Sequence, residues 1–177
     1  MARFSLIAHP DRPPLQVRGV ACGVARVGDR IVLDWRVEGA GALIVPPPAA
    51  PVHTDGLWQT TCFEAFLALP GTAYAECNLA PSGAWAAYGF ADYRDGMAPR
   101  PLTSVPQITA LRQDDAFACR AVLAAADWVG AVSLGLTAVI AEEGGHTSYW
   151  ALAHAAGKPD FHQRSCFTAA IEAALRP

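Results

Sequence analysis

Residues 60–94, TTCFEAFLALPGTAYAECNLAPSGAWAAYGFADYR, alternate apolar and mixed positions with a period of two, the mark of strands with two different faces. Phe63, Ala65, Leu67 and Leu69 fall on one face, and Cys62, Glu64, Phe66 and Ala68 on the other. In the next segment Ala73, Ala75, Cys77 and Leu79 alternate with Tyr74, Glu76, Asn78 and Ala80, and Pro70-Gly71-Thr72 punctuates the two. Both apolar faces must meet one core, which sets the register. A three-residue loop centred on Gly71 pairs Leu69 with Ala73 and Leu67 with Ala75, and so predicts Phe66 opposite Glu76 and Glu64 opposite Asn78. A two-residue loop would turn Glu64 toward Cys77, at a desolvation cost. The same geometry at Pro81-Ser82-Gly83 sets Tyr88 opposite Glu76 and Trp85 toward the core. A bulge at Gly83 reverses both, so the faces of Trp85 and Tyr88 stay open.

The rest of the chain carries the same pattern. Residues 4–8 form a short apolar run, expected to be an edge strand protected by His9-Pro10 and Pro13-Pro14. Residues 15–27 and 31–37 read as a hairpin about Gly28-Asp29-Arg30, with Trp35 in the core. A brief strand is expected at 43–45, then PPPAAP at 46–51 makes an extended connection. Trp58 follows, as a lid over the mixed face or, the blander reading, a plug under the loop. Residues 108–112 and 117–123 form another hairpin about Asp114-Asp115, and Ala124 to Ala126 start either more strand or a helical turn. In 132–141 the residues Val132, Leu134, Leu136, Ala138 and Ile140 share one face, while Ser133, Gly135, Thr137 and Val139 make a second face small enough to floor a groove. His146, Ser148, Trp150, Leu152 and His154 share one side of the next strand, and residues 165–171 read as a last strand. Ten or more short strands without a sustained helical period predict an all-β fold, a two-sheet antiparallel β-sandwich, with residues 1–177 as one domain.

Composition narrows the function classes. The chain is 53% hydrophobic and 16% charged with a formal charge of -3, which argues against an electrostatic nucleic-acid binder. Its start lacks the apolar run of a signal peptide and no stretch reaches membrane-spanning length, so a cytoplasmic protein without a membrane partner is expected. Cys22, Cys62, Cys77, Cys119 and Cys166 are odd in number and widely spaced, which suggests neither a disulfide framework nor a zinc knot.

CFEAFL, YAECNLAPSGAWAAY, YWALAH and KPDFH, in that order, resemble the DOMON-like domains related to family nine carbohydrate-binding modules. The resemblance spans most of the chain and implies a jelly-roll-like β-sandwich whose members bind sugars or, in other branches, haem. The acidic strand and Asn-Pro-x-Gly-like turn of the family correspond to Glu64 and to Asn78 through Gly83, with Leu79-Ala80 intervening before Pro81. Haem-binding branches use methionine and histidine as axial ligands, and beyond the initiator this chain has Met97 alone.

The expected role is therefore a non-catalytic module for a small molecule, most simply a saccharide, with aromatic faces for the ring and fixed polar groups for its hydroxyls. The candidate ligand-binding residues are Glu64, Asn78, Trp85, Tyr88, Arg94, Trp150, His154 and His162, with no cofactor. In the blander reading Glu64 and Asn78 tie loops together and Trp150 is core. Alternatives are a glycoside hydrolase using Glu64 and Glu76, whose carboxylates would need to lie roughly 5 to 10 Å apart, a metal site of His154, Asp160 and His162, and a scaffold for a protein partner.

Overall fold

The computed structural model describes residues 1–175. Twelve strands are present among them: β1 Ala2–Ala8, β2 Gly19–Val27, β3 Arg30–Glu38, β4 Cys62–Ala68, β5 Tyr74–Leu79, β6 Trp85–Phe90, β7 Ala98–Pro99, β8 Gln107–Gln113, β9 Ala116–Ala124, β10 Ser133–Glu142, β11 His146–Ala151 and β12 Ala169–Ala170. A four-residue helix, α1, covers Ile171–Ala174. The ladders are antiparallel and form one continuous path, β7-β6-β5-β4-β10-β11-β1-β2-β3-β9-β8, with β12 added beside β10.

That path is strongly curled. Trp35 on β3 lies 5.4 Å, centroid to centroid, from Phe63 on β4, although four strands separate β3 from β4 along the sheet. Phe63 also stacks on Phe117 of β9 at 6.4 Å. Leu33, Trp35 and Val37 from one limb meet Phe63, Leu134 and Leu136 from the other in a single buried cluster. Burial of these large side chains, at about 1.5–3 kcal/mol each, is what closes the curl.

The expected all-β antiparallel fold is present, with its two limbs joined in one strongly curled strand path, and β1 is what joins them. Ala2 through Leu6 pair with β2, while Ile7 and Ala8 pair with Ala151 and Trp150 of β11. The strand is a seam between the two limbs and not an edge; the prolines that follow it release the chain into a loop. Glu142, at the far end of β10, holds that loop: it is fully buried and its carboxylate accepts the backbone N–H groups of Leu15, Gln16 and Val17 at 2.7–3.0 Å.

The hairpins about residues 28–29 and 114–115 form as the pattern predicts, and Ala125–Trp128 takes the helical-turn option as a 3-10 helix. The strand expected at 43–45 shrinks to a single bridge between Leu43 and Glu142. The strand expected at 165–171 shrinks to β12, Ala169–Ala170, paired with β10. A 3-10 turn at Arg164–Cys166 instead lowers Phe167 onto Phe66, with ring centroids 5.4 Å apart. Gly135 makes room, since a Cβ there would sit 2.6 Å from Phe167 Cδ1.

Candidate functional site

Register builds the site row by row. Glu64 pairs with Asn78 and Phe66 with Glu76, as the three-residue loop demands, and Leu69 N–H donates to Ala73 O at 3.0 Å across the turn. The second turn follows the same rule: Gly83 takes φ 98° and Leu79 pairs with Trp85, which places Tyr88 opposite Glu76. That left-handed φ is open to glycine and costly for most other residues. On the face turned away from the main core, one row across the sheet therefore reads Ala151, Thr137, Glu64, Asn78, Ala86. The next reads Gly135, Phe66, Glu76, Tyr88.

Three loops raise walls around these rows and enclose a groove of about 1210 Å3. The first carries Asp55 and Trp58. It is pinned alongside β6, where Thr54 N–H donates to Trp85 O and Trp85 Nε1 donates to Pro51 O, and Asp55 accepts the Tyr88 hydroxyl. The second follows β6: Arg94, at a left-handed φ of 51°, sends its guanidinium to Asp160 Oδ1 at 2.8 Å. The third is 158–162, held by Asp160, which accepts Tyr93 Oη, Arg94 Nη2, Gln163 Nε2 and the His162 backbone N–H. Burial alone would raise the Asp160 pKa, but these donors outweigh it and hold the carboxyl below the usual range.

The floor is polar and buried. Glu64 and Glu76 are 2% and 6% exposed. Thr137 Oγ1 donates to Glu64 Oε2 at 2.7 Å, and Asn78 Nδ2 donates to Glu76 Oε1 at 2.7 Å. Burial first, and the neighbouring Glu76 charge second, push the Glu64 carboxyl up to about 8 against the pull of Thr137. Burial also raises Glu76, while Asn78 and Arg94 pull it down. Glu64 therefore keeps its proton near neutral pH. His162 hangs over Glu76, its Nε2 3.9 Å from Oε2, with Nδ1 bound to the Tyr74 hydroxyl at 2.8 Å. Burial, then the Arg94 charge, lowers its pKa to about 4 despite Asp160, so the ring is neutral.

Of the eight candidates, Glu64, Asn78, Tyr88, Arg94 and His162 line this groove. Trp85, Trp150 and His154 do not. Trp85 lies on the opposite face of β6 from Tyr88, packed on the core, and acts on the site only by pinning the Asp55 loop. Trp150 pairs with Ala138 and is buried in the main cluster, its Nε1 donating to Ser148 Oγ at 3.0 Å; the strand's period gives the groove Tyr149 instead. His154 lies beyond β11, where Nε2 meets Ile7 O at 2.7 Å and the ring meets His9 edge-on in a separate depression. The trio His154, Asp160 and His162 therefore does not converge on one point, and no group of three metal-ligating side chains occurs among the described residues.

Trp58 overturns the plug reading: it is 55% exposed and lines the groove. Phe66 was signalled by parity, since it shares a face with Glu64, whereas Tyr149 lies on the side of its strand opposite the candidates Trp150 and His154. Asp55, Trp58 and Phe161 lie in loops, where no period exists to signal them. Met97 and His162, the residue types of haem ligation, both line the groove, yet they do not fit an axial pair. Tyr74 holds His162 Nδ1, and its Nε2 is turned to the Glu76 carboxylate.

No protein-family model matches the chain, and no curated protein matches it by sequence. Among solved structures it is similar to a candidate carbohydrate-binding protein from Bacteroides uniformis ATCC 8492, with a TM-score of 0.67 and 14% identity over 94% of this chain and 84% of the other. At that identity the likeness establishes fold alone: the chain is built on the same all-β plan as that protein.

Proposed function

We propose that this chain is a non-catalytic carbohydrate-binding module of the DOMON-like kind related to family nine modules. One observation carries the reading: Glu64, Glu76 and Asn78 alternate with Phe66 and Tyr88 across the floor of one groove. A sugar offers hydroxyls at its rim and apolar C–H faces, and this floor offers fixed hydrogen-bonding groups beside ring surfaces. Trp58 and Tyr149 extend the aromatic lining to the walls. The fold shared with the Bacteroides uniformis protein supports the same reading.

The test is a thermal-shift screen against neutral mono- and oligosaccharides, cell-wall amino sugars and haemin, because a ligand that binds only the folded state raises Tm. A saccharide that raises Tm, and fails to in Glu64→Ala of unchanged intrinsic melting, supports the module. No shift with any saccharide sinks it.

A second reading has its own observation. A carboxyl held near 8 beside another carboxylate is what a glycosidase acid requires. Turnover of an aryl glycoside, abolished in Glu64→Gln, would establish it, and its absence leaves the binding module.

A further inference from the structure

The groove floor carries two buried acids that no cationic side chain among the described residues contacts directly. Glu64 and Glu76 lie on adjacent strands of one face, both more than nine-tenths buried. Their direct hydrogen bonds come from a hydroxyl and an amide, Thr137 and Asn78. Three cationic side chains line the groove, Arg12, Arg94 and Lys158, and among the described residues none makes a salt bridge with either acid. Arg94 is committed to Asp160. Arg94 acts on Glu76 only through its field, and His162, 3.9 Å from Glu76, is neutral. Buried carboxylates are ordinarily paired. Here the rows that surround them supply aromatic rings, with Phe66 and Tyr88 flanking Glu76 on either side and Phe90 close by.

Carboxylates together with the faces of aromatic rings are the surroundings that stabilise an ammonium group. We infer that the groove takes its saccharide through a cationic nitrogen, a protonated amine seated over Glu64 and Glu76 among the rings of Phe66, Tyr88 and Phe90. The inference rests on the saccharide reading and narrows it to amino sugars with a free amine. A neutral sugar leaves the Glu64 proton in place. An ammonium favours the ionised carboxylate, so its binding expels that proton to the buffer.

The experiment is isothermal titration of the protein at about pH 6.5, where amines are protonated, with three probes: a glucosamine trimer, its N-acetylated counterpart and a glucose trimer. Each is run in two buffers of different ionisation enthalpy. The expected result is that the glucosamine trimer binds on the order of tenfold more tightly than the neutral two and releases a proton, as they do not. Glu64→Gln and Glu76→Gln are expected to remove both the preference for the glucosamine trimer and the proton release. If Glu64→Gln fails to fold, Glu76→Gln and the proton count on the wild type still decide. Neutral trimers that bind as tightly as the glucosamine trimer overturn the cation and leave the module standing. Binding of none of the three overturns the saccharide reading, and this inference with it.

Discussion

The Tyr74 hydroxyl lies 2.8 Å from His162 Nδ1 while it accepts the Arg94 backbone N–H at 3.1 Å. Its own proton is thus directed at Nδ1, which assigns the hydrogen of the neutral ring to Nε2, the nitrogen facing Glu76. Nitrogen-15 NMR of His162 is expected to show the Nε2–H tautomer and a titration midpoint near 4. A midpoint at the ordinary value of about 6.5 would remove the burial and Arg94 argument.

Glu64 makes the stability of the free protein depend on pH. Its folded pKa, about 8, lies above the value of 4.5 expected unfolded, so its contribution is complete below 4.5 and is lost as pH rises toward 8. The slope is about 1.4 kcal/mol per pH unit. His162 acts oppositely between about 4 and 6.5, where the unfolded ring takes a proton that the folded one refuses. The clean window is therefore between 6.5 and 8. Wild-type Tm is expected to fall there by roughly 5 °C, and that of Glu64→Gln, an imitation of the protonated acid, to stay level. Parallel curves for the two proteins count against the raised carboxyl.

Two tryptophans separate binding from folding. Trp58→Ala at the exposed wall is expected to weaken saccharide binding on the order of tenfold and leave urea unfolding unchanged. Trp150→Ala empties a core position and is expected to cost about 3–5 kcal/mol in the same unfolding measurement. The opposite pattern would place the groove on the wrong side of β11.

Glu142 gathers three backbone N–H groups from a loop some 125 residues away in the chain. Removing the acceptor leaves the buried Val17 N–H without a partner, at about 1–3 kcal/mol. Glu142→Ala is expected to lose about 1–3 kcal/mol by urea unfolding, with faster amide exchange at Leu15, Gln16 and Val17. Unchanged exchange there would show that the carboxylate does not hold the loop.

Gly135→Ala tests the seat of Phe167. The added methyl would meet Cδ1 of that ring at 2.6 Å and Phe66 Cβ at 3.3 Å. Overpacking of this kind costs about 1–3 kcal/mol, to be read as a lowered Tm. An unshifted Tm would mean that Phe167 moves freely.

The floor of the groove was readable from the chain because parity is local. Once the apolar faces of residues 62–69 and 73–80 are made to coincide, Glu64 must face Asn78, and the structure has that pair. Parity also put Trp150 on the side of Ser148, but does not say which side is core. Only the pairing with β10 decides this, because Trp150 lies opposite Ala138. The walls were illegible for a different reason. Asp55 and Asp160 are held at the site by hydrogen bonds from Tyr88, Tyr93 and Arg94, contacts between distant segments that leave no periodic trace. The curl of the sheet was hidden too, since it depends on β1 changing partners midway.

That change of partner also bears on the order in which the molecule can form. Ala2 through Leu6 find β2 within a few tens of residues, but Ile7 and Ala8 must wait for Ala151 and Trp150. Contacts so distant along the chain carry a loop-closure cost and slow the search. On a ribosome the limb of β2 and β3 can assemble early. The seam stays open until β11 has emerged, leaving the end of β1 without its neighbour for most of synthesis.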